Sequence, residues 1–206
     1  MNRWPAYRTT ILTYAGCTTL GLAVGLSAVQ ANPQGGRVVA GQATISGTPS
    51  QLIVEQRSDK AIINWRDFSI GRDQLTRFRQ PNAKSVTLNR VTGNAVSRIQ
   101  GQLKANGRVF LVNPNGVVIG KDARIDVNGL VVSTHDIGND DFMAGRLNFS
   151  IPGKPGAAIV NQGHISIADA GLAAFVAPTV RNDGVIQARL GTVSLAAGDC
   201  FTLDLY

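Results

Sequence analysis

Apolar and polar residues alternate with a period of two along much of this chain. Ile125 and Val127 are interleaved with Arg124, Asp126 and Asn128, Ile165 and Ile167 with His164, Ser166 and Ala168, and Phe201, Leu203 and Leu205 with Thr202 and Asp204. Successive side chains of a strand point to opposite faces, so each of these segments reads as a half-buried β-strand. Turn pairs punctuate them: Asn106-Gly107, Asn128-Gly129, Gln162-Gly163 and Asp183-Gly184. Beyond the first 31 residues no stretch places apolar residues at helical spacing, and the predicted class is all-β.

The spacing of the turns narrows this class. Leu103-x-x-Asn106-Gly107 returns as Ile125-x-x-Asn128-Gly129, an offset of 22, and Asn161-Gln162-Gly163-x-Ile165 returns as Asn182-Asp183-Gly184-x-Ile186, an offset of 21. A repeat of about 20 residues with short strands and no helix is one coil of a parallel β-solenoid. The expected fold is a right-handed parallel β-helix with interior apolar stacks and asparagines bonded one above another at equivalent corners. At ~4.8 Å per coil, seven or eight coils would make a rod of about 40 Å. An antiparallel sandwich also yields short strands and Asn-Gly turns, but nothing in it requires a constant interval. Residues from Asn32 to about Ile63, with strands at Ala43–Ile45 and Leu52–Val54, show no repeat and are expected to cap the first coil. The alternating segment at Phe201–Tyr206 resembles no cap, so the solenoid is expected either to be truncated there or to continue into a longer passenger.

One turn carries more than a corner needs. In "FLVNPNGVVIG" (110 to 120), two apolar β-type runs flank Asn113, Pro114, Asn115 and Gly116. Pro114 presets φ, and Asn115 and Gly116 tolerate left-handed geometry. Two side-chain amides are thereby expected on a tip that faces solvent.

The N-terminus changes the picture of where the chain works. Arg3 and Arg8 precede an acid-free apolar run from about Ala15 to Val29, and Val29-Gln30-Ala31 places small residues at −3 and −1 before Asn32. Residues 1–31 therefore read as a secretory signal peptide cleaved between Ala31 and Asn32, which directs the chain to the general secretion machinery of the inner membrane. The run is shorter than a membrane span and contains Thr18, Thr19, Gly21 and Gly25. Cys17 leaves with the leader, so Cys200 stands alone and stability must come from packing and backbone ladders. The mature chain keeps 18 of 20 basic residues and all 13 acidic ones, a net charge of +5. Its arginines (Arg57, Arg66, Arg72, Arg77, Arg79, Arg90, Arg98 and Arg108 among them) are scattered without stacking aromatics, which describes a solvated basic surface and not a nucleic-acid site.

β-Helices also host lyases and hydrolases, whose sites need clustered carboxylates. The candidate here is "HDIGNDDF", with His135, Asp136, Asp140 and Asp141. Positions one coil away, near 113 to 120 and 156 to 163, carry no carboxylate, so the cluster reads as a solvated loop in which Asp136 or Asn139 caps a turn. Two histidines 29 residues apart and one mature cysteine make no zinc site, and no glycine loop sits between a strand and a helix. No catalytic residue, metal or cofactor is assigned. Trp65, the one tryptophan after the leader, lies in an alternating strand and is expected in the core, which leaves little aromatic surface for binding sugars as a stand-alone adhesin.

"INWRDFSIG" (63 to 71), "VTLNRVTG" (86 to 93), "ANGRVFLVNPNGVVIG" (105 to 120), "VNGLVVST" (127 to 134), "DIGNDDFMAG" (136 to 145) and "SLAAGD" (194 to 199) occur in this order. Together they resemble the N-terminal secretion domain of filamentous-haemagglutinin-like exoproteins of the two-partner secretion pathway in Gram-negative bacteria. The resemblance covers essentially all of residues 32–206. It implies a capped right-handed β-helix that crosses the periplasm incompletely folded and is read by the POTRA domains of a dedicated outer-membrane β-barrel transporter. It further implies a secreted or cell-surface location, with adhesion to host or bacterial surfaces belonging to the passenger. The family's N-P-N-L/G secretion determinant corresponds to Asn113, Pro114, Asn115 and Gly116. Its other asparagine motif, N-x-N-L, has no literal copy, and Asn89 in "NRVTG" is the nearest candidate for a second recognition point.

Overall fold

A computed structural model describes residues 32–198 and 201–203. The leader 1–31 with Cys17 and Ala31, and Cys200, lie outside them. Two capping strands, β1 (Arg37–Ala40) and β2 (Ala43–Thr48), are followed by β3 (Gln51–Gln56) and β4 (Lys60–Trp65). The next coils contribute β5 (Leu75–Arg79), β6 (Val86–Val91) and β7 (Ser97–Ile99), then β8 (Gln102–Ala105), β9 (Arg108–Val112) and β10 (Val117–Ile119). β11 (Arg124–Ser133) runs through two faces of one coil, and α1 (Asn139–Ala144) and β12 (Asn148–Phe149) interrupt the winding before β13 (Ala158–Asn161) resumes it. β14 (His164–Ala177), β15 (Thr179–Asn182), β16 (Val185–Ala188), β17 (Thr192–Ala197) and β18 (Phe201–Thr202) complete the order.

The expected parallel β-helix is what forms. One face stacks β2, β3, β5, β8, β11, β14 and β16, a second stacks β1, β4, β6, β9, β11, β14 and β17, and a third stacks β7, β10, β13 and β15. Leu103 lies beside Ile125, Ile165 beside Ile186 and Asn161 beside Asn182, as the offsets require. The Asn161 amide donates to Asn182 Oδ1 at 2.7 Å, so this corner carries an asparagine ladder. Gly184 is needed just beyond it, because a Cβ there would come within 2.3 Å of Gly163 O.

The cap is shorter than the sequence suggests. β1 and β2 pair antiparallel with β4 and β3, whereas β3 and β4 already run parallel to β5 and β6 as the first coil. Gln51 pairs with Leu75 and Leu75 with Gln102, intervals of 24 and 27 that longer corners stretch beyond the recognisable repeat. The other end also differs. Phe201–Thr202 does not join the parallel stack but turns back to pair antiparallel with Asn148–Phe149.

Two apolar clusters hold the fold. The interior one runs along the axis through Trp65, Phe78, Leu103, Leu111, Ile125, Val132, Ile165 and Phe175. The other lies outside the tube: Ile62, Leu88, Phe110, Val131 and Ala174 form an outward column on successive coils, covered by Ile137, Phe142, Leu147 and Phe149. Residues 134–153 are thus a flap over the second face. Its insertion explains why Arg124 meets His164, 40 residues on, one coil later.

Candidate functional site

Asn113 to Gly116 form the corner between β9 and β10. Gly116 N–H donates to Asn113 O at 3.0 Å and Asn115 N–H to Asn113 Oδ1 at 2.9 Å, a β-turn and an Asx-turn on the same residues. Gly116 has φ +108°, while Asn115 stays at negative φ. Of the two residues that tolerate left-handed geometry, Gly116 alone uses it, and the Asx-turn closes the corner at Asn115.

The expectation of a solvent-facing tip is overturned. Asn113 is fully buried and Asn115 half-buried. Asn113 Nδ2 donates to Ala95 O at 3.0 Å and Ser97 Oγ at 2.9 Å, and its Oδ1 also accepts from Asn115 Nδ2 at 2.8 Å. Asn115 Nδ2 donates to Gly93 O at 2.9 Å. From the other side, Lys154 N–H donates to Pro114 O at 2.9 Å. The corner is pressed between corners above and below it, and of its own two side-chain amides the buried Asn115 Oδ1 alone is left without a partner.

Asn89 is also internal. It is fully buried, accepts from Trp65 Nε1 at 3.0 Å and donates to Phe110 O at 3.2 Å. It satisfies the buried indole N–H and thereby places Trp65 in the core, where the sequence reading expects it. Asn32 is buried at the base of the helix, where its Oδ1 accepts from Thr76 Oγ1 at 3.1 Å.

The "HDIGNDDF" segment is not a solvated loop. His135 is buried, and Asn139 begins helix α1, which drives Phe142 onto Phe110 with ring centroids 6.0 Å apart. Asp136 pairs with Ile151 inside the flap and forms an ion pair with Arg90 at 2.7 Å, both side chains more than four-fifths covered. Arg90 also donates to Asn139 Oδ1 at 2.8 Å and Ile137 O at 2.6 Å. Arg90 therefore does not belong to the solvated basic surface: it fastens the flap to β6. Asp141 pairs with Arg146 in the open, and Asp140 is exposed. Among the described residues no cluster of three or more His, Cys, Asp or Glu could hold a metal ion. A sequence signal for the flap does exist. Val109 to Val112 are four successive buried apolar residues, and such a run marks a strand covered on both faces.

Comparison with known proteins places this geometry. Residues 29–205 match the TPS secretion domain family. The chain is 36% identical over 204 residues to a heme/hemopexin-binding protein of Haemophilus influenzae strain Rd, covering 95% of this chain and 21% of that protein. A second heme/hemopexin-binding protein from Haemophilus influenzae is 46% identical over 106 residues, covering 51% of this chain and 11% of the relative. The chain thus spans about a fifth or less of these relatives. The crystal structure of the HMW1 secretion domain from Haemophilus influenzae superimposes with a TM-score of 0.78 at 41% identity, covering 83% of this chain and 46% of that one.

Proposed function

Given that the chain belongs to the TPS secretion domain family, we propose that it is the export-directing domain of a longer adhesin-type exoprotein, read by the POTRA domains of its own outer-membrane transporter before its coils close. Residues 1–31 take the chain through the inner membrane and are removed after Ala31. Asn113 and Asn115 are the recognition residues, with Pro114 and Gly116 shaping the segment that presents them. The observation that carries this reading is the burial of Asn113, whose amide spends four hydrogen bonds inside the folded corner.

While the chain is extended, those amides are free to bind a receptor strand edge, with backbone pairing supplying affinity and the amides specificity. Once the coil closes, they are consumed and the transporter loses its handle. Folding outside the membrane then gives export a direction without a nucleotide. Export that proceeded unchanged with a passenger held reversibly unfolded would count against this last step. Asn89 has the weaker claim as a second recognition point, since its amide has a complete structural explanation in Trp65. Whatever the longer protein binds, heme or hemopexin included, is assigned to the sequence beyond this domain.

The test is export in a Gram-negative host with and without the transporter, for the parent, Asn113→Ala and Ile119→Ala. Ile119 is buried in the next strand of the same coil and lies outside the motif, so its truncation supplies a destabilised control. Export lost in Asn113→Ala and retained in an equally destabilised Ile119→Ala supports recognition. Equal losses would reduce the motif to a corner of the solenoid.

A further inference from the structure

The first face of the helix carries a second feature, remote from the asparagine corner. Thr76, Leu103, Ile125 and Ile165 point inward on β5, β8, β11 and β14, so the residues between them point out. Arg77 lies beside Lys104, Lys104 beside Asp126, and Arg124 beside both Gln102 and His164. The cations thus occupy three neighbouring coils, Arg77 level with Lys104 and Arg124 two residues along the strand, with His164 on the fourth, over about 14 Å at ~4.8 Å per coil. Two shallow depressions of about 450 and 370 Å³ follow this path and share Lys104 and Asp126. Each is within the range of small-molecule sites.

The charges in this groove are largely unspent. Arg79 is paired with Glu55 at its rim. Among the described residues, Arg77, Lys104 and Arg124 form no ion pair, and Arg77 Nε is buried without any hydrogen-bond partner. Gln102, Ser166 and Asp126 add donors and acceptors suited to hydroxyls. Phe78 and Ile125 in the floor are covered, so the groove has no apolar anchor of the kind on which protein interfaces centre. A linear, hydroxyl-rich, anionic polymer lying along the axis matches this arrangement.

We propose that the Arg77–Lys104–Arg124 groove binds phosphate-bearing saccharide of the cell's own outer leaflet, and so retains the folded domain beside the membrane it has just crossed. Guanidinium and ammonium groups on successive coils meet the phosphates, while Gln102, Asp126 and Ser166 meet sugar hydroxyls. The inference rests on export to the surface but not on how the transporter reads the chain.

Binding of purified folded protein to phosphorylated lipopolysaccharide is measured by calorimetry, beside its dephosphorylated form, a polyuronate and uncharged dextran. Lys104→Gln combined with Arg124→Gln is compared with Lys84→Gln combined with Lys121→Gln, which removes two exposed cations elsewhere. The expected result is salt-sensitive binding to the phosphorylated form, weakened about tenfold by the groove pair and less than about twofold by the control pair. Equal losses in the two pairs, no binding, or comparable affinity for dextran would overturn the proposal. Tighter binding to the polyuronate or the dephosphorylated form would overturn the assigned source. Because transporter-dependent export is not part of this assay, its failure and that of the export reading are distinguishable.

Discussion

Replacing Asn113 with alanine removes two donated bonds, to Ala95 O and Ser97 Oγ, and the acceptor that orders Asn115. A buried neutral hydrogen bond contributes about 1 kcal/mol net, and leaving a buried group unpaired costs about 1–3 kcal/mol. Ala95 is exposed, so its carbonyl can turn to water, whereas Ser97 is fully covered and cannot. The expected loss is about 3 kcal/mol, which at an m-value of about 2 kcal/mol/M lowers the urea midpoint by about 1.5 M. Asn115→Ala should lose about half as much, because its Oδ1 has no partner to forfeit. Hydrogen exchange would show the loss concentrated in Val117–Ile119, the strand that leaves the corner, and in Ser97–Ile99, its neighbour in the preceding coil. An Asn113→Ala protein within about 0.5 kcal/mol of the parent would refute the account of a corner locked by its amides, and with it the argument that folding hides the motif.

Arg90→Ala leaves Asp136 unpaired within the flap and should cost about 3 kcal/mol, read as faster amide exchange across residues 137–149 with the interior stack unchanged. Phe201→Ala removes a ring stacked on Phe149 at 4.4 Å and 6°; a loss of about 1–2 kcal/mol is expected, with weakened protection of Leu203 N–H, which bonds to Leu147 O. Gly116→Leu should destabilise the corner by about 1–3 kcal/mol in thermal unfolding, since φ is +108° and a Cβ would approach Ala158 O to 2.7 Å.

Sequence alone determined the coil. Alternation at Ile125 and Val127 specifies which face turns inward, and the recurrence of Asn-Gly at 21 to 22 residues specifies which residues stack, because each coil must present the same corner to its neighbour. The turn at Asn113–Gly116 was legible for the same reason: its Asx and β-turn bonds are local. Tertiary structure alone decided that its amides are hidden, since their partners Gly93, Ala95 and Ser97 come from the preceding coil, 16 to 22 residues away. It also decided the fate of "HDIGNDDF". Arg90 reaches Asp136 across 46 positions, and Phe142 finds Phe110 only because the flap folds back over a face that a period-two pattern assigns to solvent. Periodicity reports how a segment meets its own coil. Which outward side chains are then covered depends on where a distant insertion lands, and that is a property of the assembled chain.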